Sequence, residues 1–176
     1  MYFEIKPDNP SRVNDLVSMA ACWPSGCYLS TPITGGKRLL SWDGNPESKY
    51  AQVTLPNIEA ARALSRTISG GCIDPTFLHL DGMTQNDYRY LWGQVITKYA
   101  NRLVMADGWE YSIGCVYEYL RAERVYIWAL DSNNQWIQNY RASKMIGDAI
   151  KELNLAGKPC LELEELLKDV ETLSGN

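Results

Sequence analysis

Histidine is nearly missing from this chain of 176 residues: His79 is the only one. A site built on several histidines is therefore excluded, and with it most zinc chemistry; no metal and no cofactor is expected. The five cysteines, Cys22, Cys27, Cys72, Cys115 and Cys160, are odd in number and scattered, with no CxxC pair. They read as thiols in a reducing compartment, which makes a cytoplasmic location the expectation. No apolar run approaches the ~20 residues of a membrane span. The first ten residues, MYFEIKPDNP, lack the basic start and apolar core of a secretory signal.

Excess positive charge is absent too. Lys and Arg number 17 against 21 Asp and Glu, a net charge of −4. Five of the acids and one base fall in 160–176, and removing them leaves sixteen of each sign. A broad basic face for duplex nucleic acid is not expected from a formally neutral body, although a local basic pocket is compatible with it. Phenylalanine is scarce, at 2, while Tyr reaches 11 and Trp 6. Those two rings carry a polar handle, which suits a pocket or an interface as well as a core.

What is present is an alternation of apolar runs and amphipathic stretches. Residues 1–24 form an N-terminal extension with one short helix (Val13, Leu16 and Val17 on one face), ended by Trp23-Pro24. Residues 25–176 form one α/β domain. Strands are predicted at Cys27–Thr31, Leu103–Ala106 and Val125–Leu130, with further strand material in Cys72–Leu80. Helices are predicted from Asn57, as cap, to Ser69 (Ala60, Ala63, Leu64 and Ile68 inward), from Thr84 through Tyr99, from Gly114 to Ala122 and from Gln135 to Leu153. A last helix carries Leu163, Leu166, Leu167 and Val170. Residues 37–55 read as a polar loop. This order gives an open parallel sheet with helices on both faces, whose ligands bind beyond the carboxyl ends of the strands.

Two loops lie at such ends. The first runs Thr31-Pro32-Ile33-Thr34-Gly35-Gly36-Lys37-Arg38. Two glycines admit close backbone approach and two cations follow, a combination suited to a phosphate. It is neither GxxxxGK[ST] nor GxGxxG, which removes the common triphosphate and dinucleotide readings. The second runs Asp107-Gly108-Trp109-Glu110-Tyr111-Ser112-Ile113-Gly114 and leads to Glu118. Ser112 and the helix N-terminus can hold an anion, and a carboxylate kept ionised at Glu118 can attack an anomeric carbon. Trp42 and Trp109 offer faces for a base.

Together, YLSTPITGGK at Tyr28–Lys37 and the later Ser112-x-Gly114-x-x-x-Glu118 resemble the nucleoside 2-deoxyribosyltransferase superfamily. The first segment is nearest its branch of 2′-deoxynucleoside 5′-phosphate N-hydrolases. The resemblance covers 26–130 in layout, with matching residues confined to these two segments. It implies a Rossmann-like domain that cleaves or transfers the N-glycosidic bond of a nucleoside monophosphate. It also implies Glu118 as nucleophile, Tyr28 as its orienting partner, and Ser112, Gly35, Gly36 and Lys37 on the 5′-phosphate. Asp107 corresponds to the acid near the base. The family's aspartate in the helix before the next strand has no counterpart, since that region reads Trp92-Gly93-Gln94; Asp81 and Asp87 are the nearest substitutes. A module that binds a nucleotide without turnover is the alternative from another class. A homodimer is also expected, from the Tyr and Trp surplus and from C-terminal helices (Met145, Ile146, Leu163, Val170) in need of a surface.

Overall fold

The computed structural model describes residues 5–23 and 26–174. The extension boundary expected at Pro24 lies outside the described residues. Three parallel strands, β1 (Cys27–Ser30), β2 (Arg102–Met105) and β3 (Trp128–Asp131), form a sheet in the order β1-β2-β3. Among the described residues, six α-helices accompany them: α1 (Pro10–Met19), α2 (Leu55–Ser65), α3 (Gln85–Tyr99), α4 (Ile113–Arg124), α5 (Asn139–Leu155) and α6 (Leu161–Ser174). The result is a single α/β domain with an open parallel sheet of Rossmann-like type.

Alternation along the strands divides the core. Tyr28, Leu103, Met105 and Ala129 face α3 and α4, where Leu91, Val95, Ile96, Val116 and Tyr119 meet them in the main cluster. Cys27, Leu29 and Val104 face α2 and collect around Ala61. Helices thus lie on both faces, but unequally. Of the expected inward positions, Leu64 and Ile68 are half-buried but Ala60 and Ala63 are exposed; Asn57 and Ala61 turn toward the protein in their place.

The strand material expected in 72–80 shrinks to one parallel bridge, Ile73 beside Tyr28. Asp74-Pro75 ends it, because proline has no N–H for the ladder. That bridge still matters. The chain leaves β1 through α2 to Ile73 on one side, then crosses through α3 to β2 on the other. The carboxyl end of β1 is therefore a point where strand order reverses, the usual place for a ligand crevice. The third predicted strand starts late: Val125–Ile127 turn out of α4, with Tyr126 at φ 58°.

α3 opens with a reciprocal capping box between Thr84 and Asp87, a device contributing about 1 kcal/mol per bond. Asn9, just before α1, adds its main-chain N–H and Nδ2 to the Asp87 carboxylate at 2.8 and 2.7 Å. Burial raises the Asp87 pKa, but the bonds from Thr84 and Asn9 outweigh it and bring the group to about 2. α1 packs on α3 and buries Val13 and Val17 in the main core. The apolar stripes of α5 and α6 are likewise satisfied within this domain: Ile146, Leu163 and Val170 are fully enclosed. The helices that motivated the expectation of a partner already have their surface.

Candidate functional site

The Tyr28 hydroxyl donates to Glu118 Oε1 at 2.7 Å, and the Ser30 hydroxyl donates to Glu118 Oε2 at 2.6 Å. Both hydroxyls come from alternate residues of β1, so the pleat aims them at the same face. α4 supplies the carboxylate because Ser112 caps it, accepting from the Cys115 N–H, and sets the helix under the strand ends. Burial pushes Glu118 up to about 7, against the lowering effect of the Ser30 and Tyr28 hydroxyls. Burial and the charge of Glu118 together raise the Tyr28 hydroxyl well above its ordinary value, so it remains a donor.

Above this clamp, a cleft of about 650 Å³ runs over the strand ends on the α2 side. Thr31 and Pro32 follow β1 into it, Ala106, Asp107 and Gly108 follow β2, and Ser132 follows β3. Lys37 and Arg38 bring two cations to one wall, and Asp107 accepts from the Ser132 hydroxyl at 2.8 Å on the other. The two loops meet through their glycines. Gly36 has φ 81°, and a Cβ there would stand 2.6 Å from Pro32 and 3.6 Å from the Gly108 carbonyl. Gly108 has φ 79°, and its Cβ would lie 3.2 Å from that of Lys37.

Asn57, expected as a cap, is a buried clamp for the first loop instead. A π-helical turn at Tyr50–Thr54 starts the helix early and brings Asn57 round to face the loop. Its Nδ2 donates to the carbonyls of Ile33 and Gly35 at 3.1 and 2.8 Å, and its Oδ1 accepts from Arg38 Nε at 3.0 Å. Ser30 and Asn57 are the residues that sequence reasoning missed. A serine inside an apolar strand run and an asparagine near a helix start carry no pattern of their own. The one available signal was that Ser30 shares a strand face with Tyr28.

Other expectations are not met. Trp109 is buried and stacks on Tyr119 at 5.3 Å, so its ring belongs to the core and offers no face to a base. Trp42 carries the ammonium groups of Lys49 and Lys158 over its ring, 5.4 and 5.1 Å from its centroid, and does not line the cleft. Ser112 serves as a helix cap and Gly114 sits within the first turn of α4; neither lines the cleft. Asp87 is consumed by capping, while Asp81 sits in an exposed turn, its main-chain carbonyl accepting from Arg12, and neither lines the cleft. In the region of the missing aspartate, Trp92 packs on Tyr28, ring centroids 5.9 Å apart. Glu118 itself lies on the α4 side of the sheet and outside the cleft lining. A larger cavity of about 840 Å³, lined by Arg89, Tyr117 and Glu162 among others, holds none of the expected residues.

Among the described residues, no group of three or more His, Cys, Asp or Glu side chains could hold a metal ion, and no helix is long and apolar enough to cross a membrane. No family model, curated protein or solved structure matches the chain.

Proposed function

We propose that the protein cleaves the N-glycosidic bond of a nucleoside 5′-monophosphate, with Glu118 as its nucleophile. The carrying observation is the buried Glu118 carboxylate held on both oxygens by Tyr28 and Ser30 at the carboxyl end of β1. A carboxylate titrating near neutrality in a dry site suits attack on, or stabilisation of, a sugar carbon that gathers positive charge.

On this reading the phosphate binds at Gly35, Gly36, Lys37 and Arg38. Glu118 forms a bond to C1′ as the C1′–N bond breaks. The electron pair leaves with the base, which takes a proton from Asp107. Water then adds at C1′, frees Glu118 and returns the proton. A 2′-deoxy sugar is favoured, because a neighbouring hydroxyl withdraws electrons from the oxocarbenium-like state. Transfer to a second base in place of water is the same chemistry with another acceptor.

A second reading, binding of a nucleotide without turnover, draws on one observation: Glu118 is buried, 8% exposed, and does not line the cleft. Chromatographic detection of free base from a panel of ribo- and deoxynucleoside monophosphates separates the two. Release by the parent and none by Glu118→Gln supports hydrolysis. Ligand binding that survives Glu118→Gln, with no release by the parent, supports the binding module.

A further inference from the structure

Asp74 follows the residue that bridges β1 from outside the sheet. The main chain of Ile73 pairs with Cys27 and Leu29 at 2.8 and 3.0 Å, on the side of β1 away from β2. Asp74 therefore stands at a carboxyl strand end, beside the end of β1 that carries Tyr28 and Ser30, where ligands of a parallel sheet bind. Burial, Glu118 and Cys115 raise the Tyr28 hydroxyl most, and the charge of Asp74 adds to them. Asp74 Oδ1 accepts from the Thr76 N–H at 2.9 Å and caps the short turn Pro75–Phe77.

The other oxygen, Oδ2, is enclosed and has no hydrogen-bond partner among the described residues. Two more enclosed groups share that condition: the Thr76 hydroxyl, on a residue 9% exposed, and Arg62 Nε. They gather where the flank of α2 packs on the Pro75–Phe77 turn, with the Arg62 guanidinium 4.9 Å from the Phe77 ring centroid. Arg62 is half-buried and Phe77 exposed, so this junction opens to the surface. Buried polar atoms are nearly always bonded, and three orphans in one place mark a polar subsite. Their chemistry selects the ligand. Asp74 Oδ2 only accepts, Arg62 Nε only donates, and the Thr76 hydroxyl does either. The carboxylate repels a phosphate and the guanidinium repels an ammonium group. A neutral hydroxyl, which donates once and accepts twice, matches all three.

We infer that Arg62, Asp74 and Thr76 form a subsite for the sugar 3′-hydroxyl of the nucleotide. The inference rests on the nucleotide reading of the cleft. There the phosphate lies at Gly35, Gly36, Lys37 and Arg38 and the base at Asp107, over β1, β2 and β3. The ring edge that carries neither, C2′ to C3′, is left to face the opposite side of β1. In a 2′-deoxy sugar its one hydroxyl is at C3′.

Calorimetry on the full chain compares 2′-deoxy- and 2′,3′-dideoxynucleoside 5′-monophosphates of adenine, guanine, cytosine and thymine. The parent, which needs no substitution for this comparison, should bind the deoxy form of at least one pair about tenfold or more tighter than its dideoxy partner. Asp74→Asn keeps the cap but loses the second acceptor, and Thr76→Val loses the hydroxyl at equal size. In each, the preference should shrink to about threefold or less, through the deoxy form alone, with the far-ultraviolet spectrum retained. Equal binding of both forms by the parent, a preference that survives both substitutions, or a loss shared by both forms would overturn the inference and leave the nucleotide reading standing. Binding of neither form of any base would overturn that reading and the inference with it.

Discussion

Glu118 on α4 and Tyr28 on β1, separated by 90 positions in the chain, share a buried hydrogen bond of 2.7 Å. Neither element makes the site alone. β1 presents the hydroxyl because it is enclosed on both faces, and α4 presents the carboxylate because Ser112 fixes where the helix starts. Ser30 completes the arrangement from the same strand face, and the consequences are measurable.

Loss of the Ser30 hydroxyl should raise the Glu118 pKa further, since the bond favours the ionised form while burial opposes it. In Ser30→Ala, the limb of the pH–rate profile that reports ionised Glu118 moves to higher pH, and Ser30→Thr restores it. The substitution also strips a buried carboxylate oxygen of its donor, at a cost of about 1–3 kcal/mol in chemical unfolding. An unchanged profile would separate Ser30 from the state of Glu118.

Stability should fall as pH rises through the range where Glu118 ionises. The folded value is about 7 against 4.5 for the free side chain. Between those values the folded protein binds more protons than the unfolded chain, so unfolding free energy declines with pH and flattens above 7. The difference amounts to on the order of 3 kcal/mol. Glu118→Gln removes this slope, and urea titrations at pH 5 and pH 8 compare the two proteins directly. Parallel pH dependence in parent and variant would contradict the assignment.

How far the sequence goes is clear from these same residues. The strands were visible as apolar runs, the α3 start at Thr84, and the Tyr28–Glu118 pairing as an implication of the family resemblance. Asn57 was misread because a π-helical turn moves the helix start ahead of it. Trp109 and Trp42 were misread for another reason. Residue type shows that a ring has an apolar body and a polar tip, but not whether Tyr119 or two lysines already pack over it. The separation of Glu118 from the cleft depends on which side of the sheet each loop falls, and no local pattern encodes that.

The first loop depends on Asn57. In Asn57→Ala, the carbonyls of Ile33 and Gly35 lose their donor and Arg38 loses its acceptor. The expected result is a destabilisation of about 1–3 kcal/mol and at least tenfold weaker binding of a 5′-monophosphate by calorimetry, with little change for the corresponding nucleoside. Equal weakening for both ligands would place the phosphate elsewhere.

Gly36 admits no side chain, because its φ of 81° disfavours L residues and a Cβ would collide with Pro32 at 2.6 Å. Gly36→Ala should cost about 1–3 kcal/mol in thermal or chemical unfolding. A substitution without effect on the unfolding midpoint would mean that the loop relaxes freely.

The central claim is that Glu118 breaks a base–sugar bond. Incubation of the parent with deoxynucleoside 5′-monophosphates, followed by chromatography of the free bases, tests it most directly. The account predicts release from at least one of them by the parent and none above background with Glu118→Gln. Release that persists undiminished in Glu118→Gln, or no release by the parent from any of them, would contradict it.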